Sequence, residues 1–288
     1  MRRGLVAVGT LGVLVAAQVV VIGSGTAAAV SGIQVVVASS GYDSDASKGA
    51  SARCPAGKNV LGGGGRVFDG EGHVRLSGMN PTLDTYRVIA TEVLGGYDSA
   101  WEVEAYAICG TPLPGLEYVS AQSYAPSDAN YAEAMAICPE GKRVVGVGGS
   151  VGWPDLIGNE SLQWIMPYDP TYVLVTVGRD TTLNSTLIMP VVANAVCAYP
   201  PAGYEIRFAV VPPAGSAPYT GRMLQVSTQC PAGKTVLGAG LGGFNFYGSA
   251  RVDGVFPTPD LGTVWTAARQ PTASNPFRLG AWAICADQ

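Results

Sequence analysis

Histidine is almost missing from this chain: His73 is the only one in 288 residues. Nucleophilic catalysis of the Ser/His/Asp or Cys/His kind needs an imidazole beside the nucleophile. A lone histidine in the loop Asp69-Gly70-Glu71-Gly72-His73 reads instead as a solvated loop residue. There is no Cys-x-x-Cys, no histidine pair and no calcium-loop spacing of acids, so neither a metal site nor a cofactor is expected. Charge is scarce too, at 13% of residues, and its balance is acidic, −4 at pH 7. Nucleic-acid or anionic-membrane partners need a basic stripe that this chain lacks. With 39 glycines and 20 prolines, little sequence is left that suits a helix.

The one long apolar run stands at the start. Arg2 and Arg3 precede an apolar stretch from Gly4 to Ile22, and Ser24-Gly25-Thr26-Ala27-Ala28-Ala29 supplies small residues for signal peptidase. Residues 1–29 therefore read as a signal peptide cleaved after Ala29 or one residue earlier, with a retained anchor as the alternative. Two of the 17 basic residues and none of the 21 acids lie in that segment, so its removal moves the net charge from −4 to −6. No later segment is apolar over a bilayer's length, and no membrane insertion is expected after signal removal.

What is present is a repeat. Cys54-Pro55-Ala56-Gly57-Lys58, Cys138-Pro139-Glu140-Gly141-Lys142 and Cys230-Pro231-Ala232-Gly233-Lys234 each lead into an apolar pair and a glycine-rich run. Each copy ends on Ala-x-Ala, a β-branched residue and cysteine, at Cys109, Cys197 and Cys285. Pro/Gly connectors set the units at 31–115, 116–203 and 204–288. Side chains alternate with period two: Trp101, Val103, Ala105, Ala107 and Cys109 share one face, and Glu102, Glu104, Tyr106 and Ile108 the other. About six strands per copy follow, an all-β protein of three tandem, disulfide-closed, β-sandwich-like repeats. A unit of this size builds a thin core, which a disulfide over about 55 residues would stabilise by about 4 kcal/mol. The expected pairs are Cys54–Cys109, Cys138–Cys197 and Cys230–Cys285. The rival pairing joins Cys109–Cys138, Cys197–Cys230 and Cys54–Cys285. Six paired cysteines behind an export signal place the chain outside the cell, as a secreted protein.

Few positions suggest chemistry. Asp84, Asp169 and Asp260 recur after an aligned proline and shortly before Tyr86, Tyr172 and Trp265. Proline then aspartate is first a turn signature; an acid beside an aromatic ring also suits a sugar. Lys58, Lys142 and Lys234 are either solvated strand ends or, if gathered about an axis, an anion-binding patch. Gly233-Lys234-Thr235 and the glycines 238, 240 and 243 imitate phosphate-binding motifs, but they lead into strand and turn residues. The reading is a non-enzymatic binding or structural protein, with a polysaccharide or a cell-surface protein as partner. Its rivals are a secreted hydrolase using a carboxylate pair assembled between copies, and an inhibitor of an extracellular enzyme presenting Val211 to Gly215.

The phrase Cys-Pro-x-Gly-Lys-x-Val-[Leu/Val]-Gly, followed by a proline, an aromatic strand and Ala-x-Ala-[Ile/Val]-Cys, resembles secreted actinobacterial modules of unknown function, over residues 31–288. Such modules occur singly, which implies that each copy folds by itself and supports pairing within copies. A weaker likeness is to vitelline membrane outer layer protein, whose Cys-Pro-x-Gly phrase also occurs three times. It implies an alternative topology, a single pseudo-three-fold β-prism; that family's acidic Gly-Asp-Asp-Thr segment is missing here.

Overall fold

The computed structural model describes residues 27–125, 129–152, 160–179, 189–213, 215–217, 219–244, 250–270 and 276–288. The expected signal segment lies outside them up to residue 26. All regular structure in the described residues is strand. The first repeat holds β1 (Gln34–Ser39), β2 (Ser47–Arg53), β3 (Asn59–Phe68), β4 (Val74–Pro81), β5 (Thr85–Glu92) and β6 (Glu102–Gly110). The second holds β7 (Glu117–Ala125), β8 (Tyr131–Ile137), β9 (Arg143–Val151), β10 (Glu160–Asp169), β11 (Tyr172–Arg179) and β12 (Met189–Ala198). The third holds β13 (Glu205–Val211), β14 (Met223–Gln229), β15 (Lys234–Phe244), β16 (Arg251–Pro257), β17 (Thr263–Arg269) and β18 (Arg278–Asp287).

These strands form three six-stranded sheets, and each sheet is shared by two repeats. The first sheet is β1-β6-β3-β16-β17-β14, the second β2-β5-β4-β9-β12-β7, and the third β13-β18-β15-β10-β11-β8. Every repeat thus divides into two three-stranded halves that belong to different sheets. The protein is all-β with three disulfide-closed repeats, and of the two arrangements considered above the sheets are laid out as in the prism. A single cluster of buried apolar side chains runs through all three repeats.

The glycine-rich phrase explains how the sheets meet. In β3, β9 and β15 the residue before Gly62, Gly146 and Gly238 is bulged out of the pairing register. A Cβ on Gly62 would lie 2.2 Å from Leu237 O, one on Gly146 2.0 Å from Leu61 O, and one on Gly238 2.6 Å from Val145 O. Backbone packs on backbone in a closed ring of three, which only glycine permits. Three and four residues further on, each of these strands bridges to the neighbouring repeat through two residue pairs: Gly65 and Arg66 to β16, Gly149 and Ser150 to β4, and Leu241 and Gly242 to β10.

The disulfides pair within copies: Cys54–Cys109, Cys138–Cys197 and Cys230–Cys285. The first cysteine of each pair follows a strand of one sheet and the second lies in a strand of another, so each bond ties two sheets together. Pairing of this kind belongs to an oxidising compartment. The ring of repeats is fastened by backbone bonds as well, with Val30 N–H donating to Asp287 O and Ala202 N–H to Ala28 O.

Candidate functional site

Each sheet has a glycine beside its seam that sits so close to its neighbours that no side chain would fit there. A Cβ on Gly64 would meet Val255 O at 2.0 Å, one on Gly148 the Pro81 ring at 2.4 Å, and one on Gly240 Ile165 O at 2.9 Å. The side chains beside these glycines in the pairing register differ from sheet to sheet. On the first sheet Tyr106 and Phe256 stack, with ring centroids 5.5 Å apart and planes 26° from parallel. On the second, Asn194 Nδ2 donates to Asn80 Oδ1 at 3.1 Å. On the third, Trp282 and Met166 pack in a small cluster with Leu174. One backbone solution therefore presents an aromatic and charged face, a polar face and an apolar face.

The first sheet combines rings with charges. Pairing register places Val37 beside Tyr106, Tyr106 beside Gly64, Phe256 beside Trp265, and Trp265 beside Ser227, which makes one row across the sheet. Trp265 is 38% exposed. The next row holds Ser39, Glu104, Arg66, Gly254, Ala267 and Gln225. The Arg66 guanidinium lies 4.1 Å from the centroid of Phe68 and 4.9 Å from that of Phe256, a cation held between two ring faces. The Tyr106 hydroxyl donates to Glu104. Burial and then this carboxylate push the phenol up from its ordinary value.

At one end of the same face, Arg269 joins two repeats. Its Nε donates to Asp253 Oδ2 at 3.0 Å, and its Nη1 to Glu71 Oε2 at 2.6 Å. Asp253 belongs to the third repeat and Glu71 to the first. Burial raises the Asp253 carboxyl to about 6, although Arg269 pulls the other way. Nearby, the Tyr42 hydroxyl donates to Asp69 Oδ2 at 3.1 Å, and Ser39 Oγ donates to Glu102 Oε2 at 2.7 Å.

The acids and rings singled out in the sequence do not converge. Asp169 accepts from Thr171 N–H and Oγ1, both at 2.5 Å, and Asp260 from Thr258 Oγ1 at 2.5 Å and Gly262 N–H at 3.1 Å. These bonds hold both carboxyls below their ordinary value and tie them into their own hairpin turns. Asp84 accepts from Thr85 Oγ1 and faces Arg53 at 3.5 Å. Tyr86 is fully buried and donates to Val147 O at 3.0 Å, so it has no face to offer a ligand. The reason is register: Tyr86 pairs with Pro81, whereas Val173 pairs with Pro167 and Val264 with Pro257. Tyr172 and Trp265 are one residue off that inward position and face outward, Tyr172 on the third sheet and Trp265 on the first.

Other features are absorbed by structure. Lys142 pairs with Glu117 at 2.9 Å and Lys234 with Glu205 at 2.5 Å, while Lys58 donates to Gln34 Oε1 at 2.8 Å. Each lysine spans from the turn to the residue that opens its own repeat, where its charge is matched or bonded. His73 is half-buried rather than solvated, stacked on Tyr97 with centroids 5.0 Å apart. When the repeats are aligned on Pro81, Pro167 and Pro257, His73 falls opposite Asn159 and Ser249, which lie outside the described residues. Gly238, Gly240 and Gly243 all lie in β15, and among the described residues no helix follows them. In the Val211–Gly215 stretch, Arg278 Nη1 donates to Pro213 O at 2.6 Å, which braces the turn. Among the described residues, no group of three or more His, Cys, Asp or Glu side chains is placed to hold a metal ion.

Arg66, Phe68 and Phe256 were not singled out in the sequence. Their signal was available in principle, as outward positions of alternating strands, but Phe256 becomes a neighbour of Tyr106 only once the third repeat is known to complete the first repeat's sheet. Compared with known protein families and with curated proteins, the sequence matches none.

Proposed function

We propose that this is a secreted, non-catalytic binding protein whose first sheet receives a saccharide chain. The observation that carries the reading is the row Tyr106, Phe256 and Trp265, which lies directly beside Glu104, Arg66 and Gln225. Aromatic faces take the apolar face of a sugar ring, and flanking carboxylate, guanidinium and amide groups take its hydroxyls. The row crosses four adjacent strands, β6, β3, β16 and β17, and at about 4.8 Å per spacing its three spacings extend roughly 14 Å, enough for a short run of sugar rings.

The test is a glycan array followed by calorimetry, using wild type and Trp265→Ala. Binding to one or more polysaccharides, weakened on the order of tenfold or more by the substitution, supports the reading. An array without a hit, or an affinity that survives Trp265→Ala, overturns it.

One observation favours the hydrolase alternative: Asp253 and Glu71 come from different repeats and meet at one end of this face. Their shared partner argues for a structural role instead, because Arg269 bonds both carboxylates and holds them as an ion network. Release of reducing ends from a bound polymer, abolished by Glu71→Gln, would favour hydrolysis.

A further inference from the structure

The third sheet differs from its two counterparts in what it shows to solvent. Tyr131, Met135 and Ile137 on β8, Tyr168 at the end of β10 and Phe208 on β13 are between 53% and 68% exposed. Between them lies the Met166, Leu174 and Trp282 cluster, flanked by Trp164, Tyr172 and Ile206. The Trp282 ring lies flat across glycines: a Cβ on Gly242 or Gly280 would come within 2.7 Å or 2.5 Å of it. Phe208 stacks on that indole with centroids 6.2 Å apart. Among the described residues of this face, charge is confined to the margin. Glu133 sits on the edge strand and accepts from Thr176, Arg278 holds the carbonyl of Pro213, and Asp169 is locked in its turn. At the positions of Trp282, Met166 and Leu174 the second sheet carries the polar Asn194, Asn80 and Arg87 and the first Tyr106, Phe256 and Trp265, but where the third sheet has Gly280 and Gly242 the first carries the charges Glu104 and Arg66.

The extent of this face narrows the occupant. Six strands at about 4.8 Å and seven residues at about 3.3 Å give a face on the order of 500 Å² in plan, more once projecting rings are counted. That reaches the largest apolar patches monomers expose and approaches the roughly 800 Å² per partner of a stable pair. A flat sheet face buries itself best against another sheet, about 10 Å away, with side chains interdigitated. The chain minus residues 1–29 carries a net −6, so two copies repel except where a face lacks charge. A two-fold axis along the strands would set β8 of one copy over β13 of the other. Both Glu133 side chains would then stay at the wet rim, where they need not be desolvated.

We propose that the outer face of β13-β18-β15-β10-β11-β8 is the interface to a second copy of this chain, the two third sheets packing face to face. The proposal stands independently of the saccharide reading. If both hold, the pair presents two glycan-binding sheets, and avidity rises without new contacts.

Sedimentation velocity on the exported protein across micromolar concentrations tests this, with Phe208→Glu, Met135→Lys and, on the first sheet, Trp265→Glu as variants. Wild type and Trp265→Glu should sediment as dimers. Phe208→Glu and Met135→Lys should raise the dissociation constant on the order of a hundredfold with unchanged circular dichroism. Both substituted side chains are more than half exposed, so the fold should tolerate them. A wild type that is monomeric throughout overturns the proposal, and so does a dimer that survives both charges. A monomeric wild type that adsorbs to phosphatidylcholine vesicles or to crystalline cellulose assigns the face to lipid or to polymer instead, and also overturns it.

Discussion

Gly146 lies so close to Gly62 that a Cβ on it would stand 2.8 Å from the Gly62 Cα and 2.0 Å from Leu61 O. The obstacle is backbone, which cannot rotate away as a side chain can. Gly146→Ala should therefore force the ring of three central strands apart and destabilise by about 3 kcal/mol or more. A melting temperature lower by roughly 10 °C is the expected reading. Gly49→Ala is the control, since its nearest neighbour, Val88 O, stands at an ordinary 3.6 Å. It should leave stability unchanged or slightly raised. Equal effects at the two glycines would mean that the central strands have room to part.

The same ring bears on the autonomy of a repeat. Residues 116–203 contribute half of the second sheet and half of the third, and both halves end at a seam edge that another repeat covers. Cut free, the unit would expose those edges and the inner faces of β9 and β10. Residues 116–203, expressed and oxidised alone, should lack a cooperative thermal transition and show poor amide dispersion by NMR. A sharp melt of a monomeric single repeat would show that the shared sheets are dispensable.

Much of this architecture was legible in the cysteine and glycine phrases. Periodicity of two gave the strands, and the buried side of β6 is as expected: Trp101, Val103, Ala105, Ala107 and Cys109 are all fully buried. Pairing within copies held because Cys54 N–H donates to Asp84 O, fixing the strand exit at the end of its own repeat's hairpin. What the letters did not disclose is which halves share a sheet, because alternation is identical for a strand paired within a repeat or across repeats. The candidate site suffered from a related ambiguity. Aligning by the nearest aromatic treats Tyr86, Tyr172 and Trp265 as equivalent, and a one-residue shift of register turns the first inward and the other two outward. The Lys142–Glu117 and Lys234–Glu205 pairs are similarly hidden, because nothing in the spacing says that the turn folds back onto the repeat's first strand.

The disulfides do two jobs, closing a long loop and joining two sheets. Cys138 and Cys197 are 59 residues apart, a separation for which loop closure stabilises by about 4 kcal/mol. Cys138→Ser with Cys197→Ser should shift the urea midpoint down accordingly. Because the bond ties the β8 end of the third sheet to β12 of the second, hydrogen exchange should accelerate in both sheets. A change confined to the 138–197 loop would reduce the bond to a local clasp.

Asp253 makes stability fall as pH rises through the acid range. Its carboxyl has an ordinary value of 3.8 and is held at about 6 by burial in the folded chain, so between those values the native state binds more protons than the unfolded state. The contribution is fully present below the ordinary value and lost as pH climbs through about 6. A shift of this size corresponds to at most about 3 kcal/mol, reduced by the flexibility of the Arg269 and Glu71 partners. Asp253→Asn keeps the shape and removes the titration. The difference in unfolding free energy between variant and wild type cancels every other carboxylate, and it should move in the variant's favour by about 2 kcal/mol from pH 4 to pH 7. If that difference is flat across the range, Asp253 is already ionised at low pH, and the guanidinium, not burial, sets its charge.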